Sequence, residues 1–328
     1  MAEIRTEETA MHRRALLASA LAAPLATPAF AQGATVRLVV PFAPGGTSDI
    51  LARILAPEMS RLLGQSVVVE NRTGANGNLG AELVSRATPD GSALLITDAG
   101  ALATAPSLFP RLTFDVLRDL APVNLLIYAP YILAVHPSVR ARNAQELAEL
   151  AKRSPDTLNV ANSGVGAANH LTAVLLAQHW GANLTQVPYR GGAAALTAVA
   201  GGEAQIIING ATATAPFTRD GRLRAIAVSG PKRLEGLPDV PTFAELGWPA
   251  TESGTWQGIF APGPTPAPVI ARLDGALRQI LAQPEIARRM ADLGADVRAM
   301  GPEPFKAWLA NEAESWGRVV RANNIRPE

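Results

Sequence analysis

The apolar and polar positions of the chain alternate in a way that predicts short strands followed by helices. The apolar residues Ile50, Leu51, Ile54, Leu55, Met59 and Leu62 form one helical stripe. Helices are also predicted over Leu171–Trp180, Ala267–Leu281 and Pro304–Val320. The predicted strands are Val36–Val40, Ser66–Glu70, Ala93–Ile96, Leu125–Val135, Leu158–Ala161, Ala204–Ile208, Leu223–Val228 and Gln257–Phe260. This alternation is typical of parallel sheets with helices on both faces.

A glycine-rich turn recurs three times where a predicted strand is followed by a helix. The turns lie in VPFAPGGTSD (Val40–Asp49), NVANSGVGAANHL (Asn159–Leu171) and QVPYRGGAAAL (Gln186–Leu196). Open α/β sheets bind ligands at the carboxyl ends of their strands, where helix N-termini offer unpaired N–H groups. If two such sheets face each other, these turns meet across a cleft.

The turns do not have the spacing of nucleotide-binding loops. No lysine follows Gly45 and Gly46, as a P-loop requires, and Asn169 stands where a dinucleotide fingerprint beginning at Gly164 needs its third glycine. A small carboxylate needs only a few N–H donors and a hydroxyl, which Thr47 or Ser163 can supply. We therefore expect a carboxylate ligand.

Several side chains near the turns have two possible roles. Thr47 and Ser48 can contact a ligand or cap the next helix, and Asp49 can accept a ligand hydrogen bond or complement the helix dipole. Tyr189 and Arg190 can place a cation at the cleft, or they can be a packed tyrosine and a surface arginine. The sequence leaves these alternatives open.

The composition limits the chemistry further. The 328 residues suffice for two domains, and 48% hydrophobic with 17% charged residues indicates a globular chain. A net charge of +1 gives no reason to expect nucleic acid as a partner, and the absence of cysteine excludes disulfides and thiolate metal sites. No G-x-S-x-G elbow or zinc-ligand cluster is present, so we expect no enzyme activity, no cofactor and no metal.

The N-terminus has the pattern of a cleavable signal peptide over residues 1–31. Basic residues (Met11–Arg14) precede an apolar run (Ala15–Ala22), and Ala29-Phe30-Ala31 fits a cleavage site before Gln32. The acidic first ten residues do not suit a signal peptide, which suggests that Met11 is the true start. We expect an exported, periplasmic protein, with Sec and twin-arginine export both open.

Six motifs occur in order along the chain: VPFAPGGTSD, NSGVGAANHL, VPYRGG, GRLRAIAVSG, LPDVPTFAELG and WQGIFAPGPTP. Taken together, they resemble the Bug-type solute-binding proteins, the periplasmic receptors of tripartite tricarboxylate transporters. The resemblance extends over about residues 35–325. It implies an α/β chain with the type II periplasmic binding protein fold, in which two α/β domains close on a ligand. Residues 35–136 with 231–328 would form domain 1, and residues 137–230 would form domain 2.

The resemblance also implies a ligand site and partners. Asn209 stands where the family often has Asp, which weakens the case for an amino-acid ligand. The expected partners are a small organic carboxylate and the integral-membrane subunits of a transporter, and the receptor is expected to be a monomer. An orphan periplasmic sensor that acts through a signalling partner is the alternative. The expected ligand-binding residues are Phe42, Ala43, Pro44, Gly45, Gly46, Thr47, Ser48, Asp49, Thr97, Asp98, Ser163, Gly164, Val165, Gly166, Ala167, Tyr189 and Asn209.

Overall fold

The computed structural model of the protein describes residues 35–109, 111–153, 157–249 and 253–326. The predicted signal peptide and its acidic leader, residues 1–31, lie outside this range. Strands and helices alternate along most of the described chain, as the hydrophobic pattern predicts. The strands are β1 (Val36–Val40), β2 (Val67–Asn71), β3 (Ala93–Asp98), β4 (Leu120–Val135), β5 (Asn159–Asn162), β6 (Thr185–Pro188), β7 (Ile206–Gly210), β8 (Arg224–Val228), β9 (Gly254–Pro262) and β10 (Asp296–Met300). The helices are α1 (Thr47–Leu63), α2 (Asn78–Ser85), α3 (Ala99–Leu108), α4 (Ala144–Arg153), α5 (Ala168–Trp180), α6 (Gly192–Ala200), α7 (Ala211–Arg219), α8 (Ala267–Leu281), α9 (Pro284–Asp292) and α10 (Pro302–Ala322).

The strands form two sheets that share β4. In the first sheet the order is β2-β1-β3-β9-β4-β10, with β1 parallel to β2 and β3 and the remaining pairs antiparallel. In the second sheet β4 pairs with β7 and β8, and β7-β5-β6 continue in parallel. Because β1, β5 and β6 are each followed by a helix, the carboxyl ends of these strands carry the glycine-rich turns.

The chain passes from one sheet to the other at a narrow crossing. Within β4, Pro130 pairs with Gly254 in the first sheet, and Tyr131 pairs with Gly210 in the second. Ser229, just after β8, accepts from the Tyr131 N–H at 2.8 Å and donates to the carbonyl of Ser253, just before β9. Three chain segments are therefore tied together by buried hydrogen bonds.

Helices cover both faces of each sheet. Because neighbouring residues of a strand point to opposite faces, each strand packs against helices on both sides. In β1, Leu38 and Val40 pack towards α1 and α8, while Val39 packs with Phe260 and Phe305 towards α3 and α10. All five side chains are buried. In the second sheet, one face packs with α4 and α5, and the other packs with α6 and α7. This continuous burial explains why the strands read as unbroken apolar runs.

The long irregular segment that begins at Ser229 belongs with the second sheet for much of its length. Phe243 and Trp248 are buried, and the rings of Trp180 and Trp248 lie 5.0 Å apart. Phe243 N donates to the Val228 carbonyl at 2.8 Å. The domain boundary expected after Gly230 stays a prediction, but these contacts join the segment to the core of the second sheet.

Some elements differ from the prediction. β4 begins at Leu120, five residues before the predicted start, because the antiparallel pairing with β9 continues to Pro262. Strand β10 was not predicted. None of its five residues is buried, so the apolar pattern there is weak.

The crossing gives a test of backbone packing. A Cβ at Gly254 would overlap the Tyr128 ring and lie 2.6 Å from the Ala129 carbonyl oxygen. We expect Gly254→Ala to lower the free energy of unfolding by about 1–3 kcal/mol. The matched control is Gly275→Ala in α8, where nothing lies within 4 Å, and this change should stabilise the protein by about 0.5–1 kcal/mol. Urea unfolding of both variants measures the difference, and equal stabilities would contradict the packing.

Candidate functional site

The turn between β1 and α1 is held by a buried acid. Gly45 has φ of 87°, a left-handed conformation that favours glycine. Asp49 Oδ2 accepts from the Gly45 N–H at 2.9 Å, and Arg53 and Asn71 donate to the same carboxylate at 2.9–3.0 Å. Burial acts to raise the pKa of Asp49, but these hydrogen bonds and the charge of Arg53 outweigh it and lower the pKa.

The first turn of α1 has free backbone donors. The first helical hydrogen bond runs from Ile50 N to the Gly46 carbonyl at 2.9 Å, so the N–H groups of the three preceding residues have no partner within the helix. The N-cap is Gly46, and no side chain caps the helix. The hypothesis that Thr47 or Ser48 caps α1 is therefore wrong, because both residues lie inside the helix.

The corresponding turn of the second sheet precedes α5. Gly164 and Gly166 have φ of 138° and 76°, so both require glycine. Asn169 Nδ2 donates to Ser163 Oγ at 3.0 Å, and His170 Nδ1 accepts from the Gly166 N–H at 2.9 Å. Burial lowers the pKa of His170 to about 4, so its ring is neutral and acts as an acceptor at neutral pH.

These turns meet around a cavity between the two sheets. The empty space is about 520 Å³, counting the part that opens to solvent. A Cβ at Gly210 would lie 3.0 Å from Thr47 Oγ1, and one at Gly192 would overlap Asn209 Oδ1. The first sheet and its helices contribute Phe42, Gly46, Thr47, Ser48, Asn76, Asp98 and Ala101, with Thr255 and Gln257 from β9. The second sheet and its helices contribute Ser163, Ala167, Ala168, Asn169, Gly192, Asn209 and Gly210, and Tyr131 lies on the shared strand.

A chain of hydrogen bonds forms the floor of the cavity. Ser48 Oγ donates to Gln257 Oε1 at 2.7 Å, and Gln257 Nε2 donates to Thr255 Oγ1 at 2.5 Å. Thr255 also bonds to the carboxylate of Asp98, which is the N-cap of α3. These buried contacts fix the start of α1 relative to the start of α3.

Asp98 places a carboxylate in the lining of the cavity. Its Oδ1 accepts from the Gly100 N–H at 2.9 Å and the Trp256 N–H at 3.3 Å. Burial raises the pKa of Asp98 to about 6 against these hydrogen bonds, and the nearby Glu312 adds to the rise. The side chain therefore titrates near neutral pH.

Asn76 lies at the edge of the cavity with unused hydrogen-bonding capacity. Its φ is 52°, and both its Oδ1 and Nδ2 are shielded from solvent without a hydrogen-bond partner. It faces Gly164 of the other sheet, where a Cβ would lie 3.1 Å from Asn76 Oδ1. Such an amide can donate to and accept from a ligand.

The predicted site residues fall into three groups. Eight line the cavity: Phe42, Gly46, Thr47, Ser48, Asp98, Ser163, Ala167 and Asn209. Gly164, Val165 and Tyr189 line a wider opening next to it, together with the exposed Arg190. The cavity lining does not include Ala43, Pro44, Gly45, Asp49, Thr97 or Gly166. For Asp49 the reason is plain, since both of its oxygens accept hydrogen bonds that hold the turn.

Sequence reasoning missed other lining residues. Asn76 lies in a glycine-rich segment that could have been read as a turn. Gly192 lies in the predicted turn QVPYRGGAAAL but was not named as a site residue, and Asn169 lies just before the predicted helix Leu171–Trp180, in the first turn of α5. The sequence gave no indication that Tyr131, Thr255 and Gln257 line the cavity, because they lie within strands and reach the cavity only through the sheet crossing.

Among the described residues, no group of three or more metal-ligating side chains is present. None of the described helices is long and apolar enough to cross a membrane.

The fold and the cleft are those of a periplasmic solute-binding protein with two α/β domains. The profile of the tripartite tricarboxylate transporter family receptor matches residues 51–325. The chain therefore belongs to this family, which confirms the resemblance found in the sequence.

Solved structures agree with this assignment. The periplasmic binding protein BugD is 36% identical, with a TM-score of 0.85 over 90% of this chain and 99% of BugD. MatC of Rhodopseudomonas palustris, solved with malate, is 35% identical, with a TM-score of 0.82 over 87% of this chain and 98% of MatC. An R. palustris protein solved with adipate is 31% identical, with a TM-score of 0.86 over 90% of this chain and 98% of that chain.

The neutral His170 gives a pH prediction. Its pKa is about 4 in the folded protein and about 6.5 when unfolded, so the unfolded chain binds the proton first as the pH falls. The stability that depends on a neutral ring is complete above about pH 6.5 and is lost as the pH falls towards 4, with a total loss of about 2–3 kcal/mol. His170→Asn keeps an acceptor but does not titrate, so its unfolding free energy should fall less over this range. Urea unfolding from pH 7 to 4 tests this, and parallel curves would contradict it.

Proposed function

We propose that this protein is an extracytoplasmic receptor that captures a small carboxylate by domain closure and delivers it to a tripartite membrane transporter. The observation that carries this proposal is the cavity, where free N–H groups of α1 face hydroxyl and amide groups of the other sheet. Helix N-termini favour anions through these N–H groups and the positive end of the helix dipole. A receptor of this kind needs no catalytic group and no cofactor.

The ligand would bind between the two domains. One carboxylate would take the free N–H groups of Thr47 and Ser48, while Ser163 and Asn209 bind the ligand from the second sheet. The unpaired amide of Asn76 would contact a further polar group. Because two relatives were solved with malate and adipate, we propose an aliphatic dicarboxylate as the ligand class.

Closure would come from rotation of the two domains about the crossing at Pro130, Ser229 and Ser253. We propose that each sheet with its covering helices forms one moving domain. A ligand that contacts both domains binds the closed form better and so shifts the balance towards it. The closed form would then be recognised by the membrane subunits. Export would use the predicted signal peptide, and the receptor would act as a monomer.

A thermal-shift screen tests the binding function. The mature protein, refolded to remove endogenous ligand, is heated with di-, tri- and aromatic carboxylates and with acidic amino acids. A true ligand at a hundredfold excess over its Kd adds about 2.7 kcal/mol of stability and so raises the melting temperature clearly. No shift with any carboxylate would contradict the proposal.

A variant at the turn tests where the ligand binds. The φ of Gly46 is −82°, which any residue adopts, and a Cβ there would lie 3.8 Å from the Ala43 oxygen and 3.9 Å from Ala193 N. Gly46→Val should therefore fold normally, but its methyl groups would stand between α1 and α6 and hinder closure. We expect at least about tenfold weaker binding by titration calorimetry, or about 1.4 kcal/mol. Gly275→Ala is the control, and equal affinity of both variants would place the site elsewhere.

Delivery needs a separate test in cells. Deleting the gene for this protein should abolish uptake of the labelled ligand found in the screen. The wild-type gene should restore uptake, and the Gly46→Val gene should not. Uptake that is unchanged by the deletion, with binding intact, would favour the sensor alternative.

A further inference from the structure

The cavity contains an acidic group and no basic one. Asp98 lines the cavity, and among the described residues that line it none is Lys, Arg or His. The nearby Arg53 is bonded to Asp49, and Arg190 is exposed at the wider opening. A ligand carboxylate would therefore share the cavity with Asp98 without a cationic side chain to neutralise either group.

The hydrogen bonds to Asp98 do not remove the repulsion between its carboxylate and a ligand carboxylate. Its carboxylate accepts from the N–H groups of Gly100 and Trp256 and from the Thr255 hydroxyl, all of which are neutral. A carboxylate has about four acceptor sites, so one further contact is available for a ligand. The N–H groups of α1 can stabilise one ligand carboxylate, but the N-terminus of α3 is already capped by Asp98. A second anionic group of the ligand would therefore lie next to the ionised carboxylate of Asp98.

Two carboxylates in one desolvated site do not both stay ionised, because repulsion raises the pKa of one of them. We propose that Asp98 takes up a proton from solvent when a dicarboxylate enters the cavity, and that the neutral carboxyl group then donates a hydrogen bond to a ligand oxygen. This inference rests on the proposed function, and it makes Asp98 a specificity-determining residue that selects dicarboxylates in a pH-dependent way.

The charged and titratable groups around Asp98 support this assignment. Glu312 of α10 adds repulsion, and Tyr131 of β4 stays neutral because burial and the charge of Asp98 raise its pKa well above its ordinary value. On α5, His170 is neutral because burial lowers its pKa to about 4. From β9 come Thr255, Trp256 and Gln257, which carry no charge. Even without ligand, burial raises the pKa of Asp98 to about 6, so protonation at neutral pH needs a smaller further rise than it would for an ordinary carboxyl group.

The sign of the pH dependence follows from proton uptake. The pKa of Asp98 is higher with the dicarboxylate bound than without it, so affinity is complete below the ligand-free pKa and is lost as the pH rises. Above about pH 6 the Kd should increase by about tenfold per pH unit, until the pKa of the bound state is reached. Aliphatic carboxyl groups have ordinary pKa values of about 4, so both probes are largely dianions above pH 6.

The test uses L-malate and adipate as probes with the full mature protein. Titration calorimetry from pH 6 to 8 gives the Kd, and repetition at pH 7 in buffers of different ionisation enthalpy gives the number of protons taken up. The wild-type protein should bind at least one probe at pH 6, take up close to one proton, and lose affinity about tenfold per pH unit.

Asp98→Asn is the deciding variant. Asparagine is also a good N-cap, and its amide imitates the neutral carboxyl group without titrating. This variant should bind with no net proton uptake and a constant Kd from pH 6 to 8, and it should bind more tightly than wild type at pH 8. Glu312→Gln, which removes a neighbouring acid outside the cavity lining but leaves Asp98 titratable, is the matched control. Because Glu312 adds to the rise in the pKa of Asp98, the loss of affinity should begin at a lower pH in this variant, while the proton uptake and the slope of about tenfold per pH unit stay as in wild type.

Several results would overturn the inference. They are a wild-type affinity that does not change with pH, a proton uptake near zero, and a loss of binding in Asp98→Asn at pH 6. An amino acid that binds more tightly than either probe with a constant Kd would also do so, since its ammonium group would pair with ionised Asp98. The proposed function requires only that some carboxylate binds to the wild-type protein at pH 6, so it can hold even when this inference is wrong. If none binds, both proposals are wrong.

Discussion

The crossing between the two sheets is the constraint on which the site depends. β4 changes sheets between Pro130 and Tyr131, and the Ser229 hydroxyl joins this strand to the start of β9. With so short a crossing, the carboxyl ends of strands in both sheets must face each other. The turn before α1 and the turn before α5 therefore line one cavity, although more than one hundred residues separate them in the chain. In the proposed closure, rotation at this crossing would bring the two walls of the cavity together.

The cavity is suited to an anion through backbone groups rather than through cationic side chains. Free N–H groups at a helix start bind a carboxylate in a fixed direction, and they lose no side-chain entropy when they do so. In the proposed complex, these N–H groups would contact only the carboxylate, so they would not distinguish ligands that differ in the rest of the molecule. Under the proposed function, discrimination would depend on the side chains that surround the rest of the cavity, which include Asp98, Asn76 and Asn209.

Burial shifts the pKa values of two groups near the cavity in opposite directions. Burial raises the pKa of Asp98 to about 6 and lowers that of His170 to about 4, because it disfavours the charged form of each. Neutral His170 secures the Gly166 turn, whereas Asp98 lies against the ligand space. A fall in pH from 7 to 5 would thus protonate the acid at the site before it disturbs the histidine that shapes the turn. The site keeps its shape over the range in which its charge changes.

The sequence by itself determined the local structure of this protein. Periodicity gave the α8 bounds and the alternation of strands and helices, and the glycine-rich turns identified Gly46, Ser163 and their neighbours, because helix starts and turn residues depend on adjacent residues. It also supported the family, since several motifs occur in order. Only the tertiary structure decided which side chains share the cavity. Asp49 is adjacent to the turn but folds back to hold it, whereas Gln257 and Tyr131 lie in distant strands and reach the cavity through the sheet crossing. Contacts between residues far apart in the chain depend on strand pairing and packing, which the local hydrophobic pattern does not specify.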